Sequence, residues 1–132
     1  MKKEEKIIAI DFDGVIHSFK SGWTGFNKIS DKPTKGAIKW LSNFIKQYCI
    51  KNNYKIVIFS SRCETYQGKR LIKNWLKNNG LPLSYIKILT FSYMKPFAHV
   101  IVDDRVICFD GSFKNLTKKI INFSPWHKNG IW

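Results

Sequence analysis

Cysteine is scarce here: Cys49, Cys63 and Cys108 are an odd number with no CxxC spacing. That excludes a disulfide scaffold and argues against a zinc site, leaving reduced thiols. Cys63 has no accompanying histidine-pairing pattern and reads as a bystander. No apolar run approaches the ~20 residues of a membrane span. The charged start Met1-Lys2-Lys3-Glu4-Glu5-Lys6 leads into a strand, not into the apolar stretch of a signal peptide. The expectation is a soluble, cytoplasmic protein with no membrane partner. Internal repeats, low-complexity tracts and interdomain linkers are absent, so residues 1–132 are expected to form a single domain.

Acidic residues are scarce as well, nine against 23 lysines and arginines, giving a net charge of +14. A basic domain attracts polyanions and phosphorylated substrates, as a nucleic-acid binder would. Only Arg62, Arg70 and Arg105 are arginine, however, and abundant lysine, asparagine and isoleucine are also what AT-rich coding sequence produces. Lys35, Lys39 and Lys46 suit a solvated helix face equally well.

Against that scarcity, four of the nine acids fall in two pairs. Asp11-Phe12-Asp13-Gly14-Val15 follows the apolar run Ile7–Ile10, and Asp103-Asp104 follows His99–Val102. Carboxylates crowded at a strand end repel one another and lose hydration unless a cation compensates. Mg²⁺ is held by one or two carboxylates together with waters and phosphate oxygens. A bare DxDG also permits a structural turn or part of a calcium loop. A third strand-like run, Tyr54–Phe59, ends in Ser60-Ser61-Arg62, and Lys95-Pro96 precedes the second acidic pair. Ligands of open α/β sheets gather beyond the carboxyl ends of the strands, so these clusters can converge on one phosphoryl-transfer site.

Strand and helix patterns alternate, which argues an α/β fold with a parallel sheet. Strands are expected at about 6–10, 54–59, 85–89 and 99–102, with an extended piece at 106–109. Helices are expected from a Thr34 cap to about 51, at 65–78, and at 113–122 with Leu116, Ile120 and Ile121 on the apolar face. Residues 14–33 form a long irregular loop next to the DxDG, placed to serve the site. Its Trp23 and Phe26 can stack on a base or sugar, or pack as a small satellite core. The aromatic tail, 123–132, has no pattern that fixes its place. His17 reads as structural rather than catalytic.

Taken in order, Asp11-Phe12-Asp13-Gly14-Val15, Ser60, Lys95-Pro96 and Asp103-Asp104 resemble the motifs of the haloacid dehalogenase-like hydrolase superfamily over about residues 6–110. Ser60-Ser61-Arg62 also resembles the SxR element in the phosphatase domains of polynucleotide kinase-phosphatases. The resemblance implies a three-layer Rossmann-like α/β fold with a mainly parallel central sheet. It implies Asp11 as nucleophile, forming a phosphoaspartate, and Asp13 as general acid and base. Mg²⁺ would be held by Asp11, Asp13 through its backbone carbonyl, Asp103 and, unless it only pairs with Arg105, Asp104. Ser60, with Ser61 as its rival, and Lys95 would hold the phosphoryl oxygens beside backbone N–H groups from Phe12 to Gly14. Arg62 would grip a substrate phosphate or serve structurally.

The insertion at 14–33 is too short for a full cap domain. Capless members of the superfamily act on large substrates or close the site by forming homo-oligomers. Three readings follow: a Mg²⁺-dependent phosphatase for a nucleotide or phosphorylated nucleic-acid end, a phosphatase for an unrelated small metabolite, or a non-catalytic nucleotide- or polyanion-binding protein.

Overall fold

The computed structural model describes residues 4–128. Met1–Lys3 of the charged start and residues 129–132 of the aromatic tail lie outside the described residues. The fold is α/β, with a four-stranded, all-parallel sheet and helices in a Rossmann-like three-layer arrangement.

The apolar run after Lys6 forms β1 (Lys6–Asp11), and the run after Asn53 forms β2 (Tyr54–Phe59). β3 (Thr90–Ser92) and β4 (Val100–Val102) complete the sheet in the order β3-β2-β1-β4. Both central strands are buried, as expected where a parallel sheet is covered on its faces. Ile8, Ile10, Ile56 and Ile58 pack with Leu41 and Ile45 of the first helical segment and with Ile72 and Leu76 of the next helix.

The first helix, α1 (Ala37–Phe44), starts two residues later than a Thr34 cap would predict. Gly36 occupies its cap position in the left-handed region (φ 81°), and the Thr34 hydroxyl is buried without a partner. Over Ile45–Cys49 the helix widens into a π turn, and the Ile50 amide reaches back to the Ile45 carbonyl at 3.0 Å. α2 (Tyr66–Asn78) starts at Thr65, whose hydroxyl accepts from the Gly68 amide at 3.0 Å.

Two expected elements differ. In place of a strand at 85–89, Leu83–Ile86 forms a helical turn, α3, because the Tyr85 and Ile86 amides close onto the Pro82 carbonyl. The strand is displaced to β3. The last helix, α4, is confined to Leu116–Ile121, and its expected core face is exposed: Ile120 is 58% and Ile121 71% accessible. The piece at 106–109 joins no strand. Among the described residues no helix is long and apolar enough to cross a membrane.

Candidate active site

Strand register builds the site. Asp11 ends β1 opposite Phe59 of β2, and Ile10 lies opposite Val102 of β4. The residues that follow, Ser60 on one side and Asp103 on the other, therefore flank Asp11 at the carboxyl edge of the sheet. Phe59 in turn pairs with Ser92 of β3, three residues before Lys95. A cavity of about 410 Å³ opens here, lined by Asp11, Asp13, Phe19, Trp23, Ser60, Ser61, Asp103 and Arg105.

Asp11, Asp103 and Asp104 each turn a ligand atom inward, with all three atoms within 4.8 Å of one another. Burial, the Asp104 carboxyl and the charges of Asp103, Asp104 and Asp13 push the Asp11 carboxyl up to about 9. Burial also raises Asp104, but the hydrogen bond with His127 leads the causes that hold its carboxyl below the usual range. Among the described residues Asp104 Oδ1, which is buried, has no hydrogen-bond partner. Three hard oxygen donors, one of them orphaned, suit a hard divalent cation, which would offset the burial and carboxylate repulsion that raise Asp11. The Lys95 ammonium stands 3.6 Å from Asp103 and is 46% exposed.

The Asp13 carboxylate lines the same cavity but is not one of this trio. Arg62 Nε donates to its Oδ2 at 3.0 Å, and His17 Nδ1 lies 2.8 Å from its Oδ1. The Asp31 amide donates to His17 Nε2 at 3.1 Å, so Nδ1 carries the proton and donates to Asp13. Burial pushes the Asp13 carboxyl up, but the His17 and Arg62 hydrogen bonds and the Arg62 charge prevail and lower it. Asp13 is thus held ionised.

Arg62 is only 1% exposed. Besides Asp13 it meets the carbonyls of Gly25, Phe26 and Lys28 through Nη1, at 3.1, 3.3 and 2.9 Å. Trp23 lies over the guanidinium with its ring centroid 4.7 Å away. Arg62 is therefore a strut between the Asp13 turn and the 14–33 loop. The strut is aimed by a tight 3₁₀ turn over Ser61–Glu64, for which Ser60 Oγ accepts from the Arg62 amide at 3.2 Å. A Cβ on Gly68 would fall 1.7 Å from the Arg62 carbonyl, so α2 can seat against this turn only with glycine there.

The expected amide donors are largely engaged as well. The Phe12 N–H bonds the Asp11 carboxylate at 2.9 Å, and the Gly14 N–H bonds the His17 carbonyl at the same distance. The Phe12 ring is fully buried in the core, edge-on to Trp75. Gly14 sits at φ +95° with Asp104 and His127 so close that an added Cβ would lie 2.2 Å from Asp104 Oδ2. Arg105 faces the same oxygen at 3.8 Å, so Asp104 belongs to the acidic trio and also makes the ion pair.

Residue patterns gave no role to two further contributors. Trp126 Nε1 donates to the Gly14 carbonyl at 2.7 Å, and His127 Nε2 lies 2.6 Å from Asp104 Oδ2. Their only signal was aromatic density in an otherwise unpatterned tail.

Compared with known proteins, the chain matches no family model, no curated protein and no solved structure.

Proposed function

We propose that this chain is a Mg²⁺-dependent phosphatase of the haloacid dehalogenase-like type, acting on a nucleotide or a phosphorylated nucleic-acid end. The observation that carries the reading is the meeting of Asp11, Asp103 and Asp104 around one set of ligand atoms, with Ser60 and Ser61 on the same cavity wall.

Asp11, Asp103 and Asp104 would hold the cation, which neutralises carboxylate charge and polarises the phosphoryl group. An Asp11 carboxylate oxygen attacks phosphorus, the P–O bond to the leaving group breaks, and Asp13 gives that oxygen a proton. Water then transfers a proton to Asp13 and attacks the phosphoaspartate, releasing inorganic phosphate and the free carboxylate. Asp13 then releases that proton to solvent, returning to its ionised resting state, and takes up another as the next substrate binds, so the cycle balances. Between these transfers His17 and Arg62 stabilise the ionised Asp13. Ser60, Ser61 and Lys95 hold the phosphoryl oxygens.

Trp23, 48% exposed on the cavity wall, offers a ring for a base, and the +14 charge favours a polyanionic partner. The cavity volume of about 410 Å³ also favours a second reading, a small phosphometabolite. Reduced cysteines suit a cytoplasmic setting.

The test is phosphate release with Mg²⁺ from an aryl phosphate, 5′- and 3′-mononucleotides and 5′- and 3′-phosphorylated oligonucleotides. Asp11→Asn and EDTA should each abolish turnover. Preference for an oligonucleotide, with binding that weakens steeply in salt, would select the nucleic-acid end. No release from any member by folded protein would leave only the binding reading.

A further inference from the structure

The tail returns to the site from far along the chain. Pro125 is buried, and the Lys128 amide closes a turn onto its carbonyl at 3.0 Å. That turn places two adjacent side chains on two catalytic motifs. Trp126 takes the Gly14 carbonyl, and His127 takes Asp104 Oδ2. The His127 ring also meets Phe19, a wall residue of the cavity, edge-on at 5.6 Å between centroids.

The His127–Asp104 contact is short and dry: 2.6 Å, with side chains 0% and 1% exposed. Among the described residues His127 Nδ1 has no hydrogen-bond partner, and the ring's ion-pair contact is with this carboxylate. A carboxylate with one oxygen fixed by a donor cannot rotate freely, and its other oxygen gains a set direction. Here the fixed oxygen is Oδ2 and the unpartnered one is Oδ1. Gly14 completes the fit, since only a residue without Cβ allows Asp104 and His127 to approach the turn this closely.

We infer that the C-terminal segment is part of the cation site, with His127 a positioning residue that fixes Asp104 so that Oδ1 is presented to the metal. This rests on the metal-dependent reading above. It adds that a side chain outside the four motif clusters sets the affinity of the site.

The test uses the full chain and Mn²⁺ as probe, with free ion counted by electron paramagnetic resonance. His127→Gln retains an N–H donor at the reach of Nε2, whereas His127→Leu fills the space without one. Leu should weaken Mn²⁺ binding by about tenfold or more, and Gln should restore most of it. Equal affinity in wild type and Leu, or equal loss in Leu and Gln with melting curves unchanged, overturns the positioning role while the metal reading stands. A wild-type chain that takes up no Mn²⁺ overturns both. Should the Leu variant not fold, the wild type decides: ¹⁵N spectra of its three histidines should show His127 shifting as Mg²⁺ is added. A His127 signal that stays fixed while calorimetry registers Mg²⁺ binding refutes the inference.

Discussion

At Arg62 a guanidinium that is 1% exposed faces one carboxylate and three backbone carbonyls. Replacing it with Met keeps the length but leaves Asp13 with His17 alone and strands the carbonyls of the loop. Breaking a buried pair from one side costs about 3–5 kcal/mol, so Arg62→Met should shift the urea midpoint accordingly. A midpoint within error of wild type would show that the strut carries no stability. Gly14→Ala meets both a left-handed φ of +95° and the Asp104 carboxylate. Strain of that kind costs about 1–3 kcal/mol, and displacing Asp104 should also weaken Mn²⁺ uptake; a variant that melts and binds like wild type would refute the close packing. These residues also mark how far the sequence could be read. Asp11, Ser60 and Asp103 were legible as neighbours because each stands at or just beyond a strand end, and strand ends are fixed by apolar runs. The aim of Arg62 was not, since it depends on the Ser60-capped turn and on Gly68 beneath it. Nor was that of Asp13, which depends on His17 folding back four residues later.

Among the elements, β2 and α2 were legible because their signals are local: an apolar run in one, a Thr65 cap with helical spacing in the other. β3 was misplaced because Ile86, Ile88 and Leu89 suit a strand or a helix, and the Pro82 carbonyl decides for the helix. The 14–33 loop gave no pattern at all, yet it is braced at both ends. The Ser18 amide bonds the Lys32 carbonyl at 3.1 Å, and the Thr34 amide bonds the Ile16 carbonyl at 2.8 Å. Between them the Ser21 hydroxyl and amide donate to Asp31, at 2.6 and 2.8 Å. Slight burial raises the Asp31 carboxyl, but the Ser21 bonds, helped by the Lys20 charge, outweigh it and lower it. A carboxylate with a depressed folded value stabilises the loop above its unfolded value of 3.8 and loses that contribution as pH falls through the folded one. A ¹³C carboxyl titration should therefore place Asp31 below the ordinary carboxylate range, and Ser21→Ala should move it upward. A midpoint at or above the ordinary value in wild type would remove the brace.

Across the molecule, packing is uneven. Ile8, Ile10, Ile56 and Ile58, in the central strands, are 9%, 1%, 1% and 0% exposed. Beyond them, all three residues of β4 are exposed and α4 buries none of its side chains. Apolar burial is the main source of local stability, so the two halves should open with different free energies. The acidic pair sits at the junction: Asp103 and Asp104 follow the thinly covered β4, yet they must hold position against Asp11 on the firm strand. Links across that junction include the β1–β4 ladder and the return of Trp126 and His127 onto Gly14 and Asp104. In native-state hydrogen exchange the amides of Ile10 and Ile58 should exchange only through global unfolding, and those of Ile120 and Asn122 orders of magnitude faster. Removing the tail's grip with His127→Leu should speed exchange in β4 while leaving β2 unchanged. Uniform protection across both halves would mean that the exposed face of β4 is covered in solution. Equal exchange of β4 in the two proteins would mean that the ladder alone holds the acidic pair, and the tail would then have no part in keeping it against Asp11.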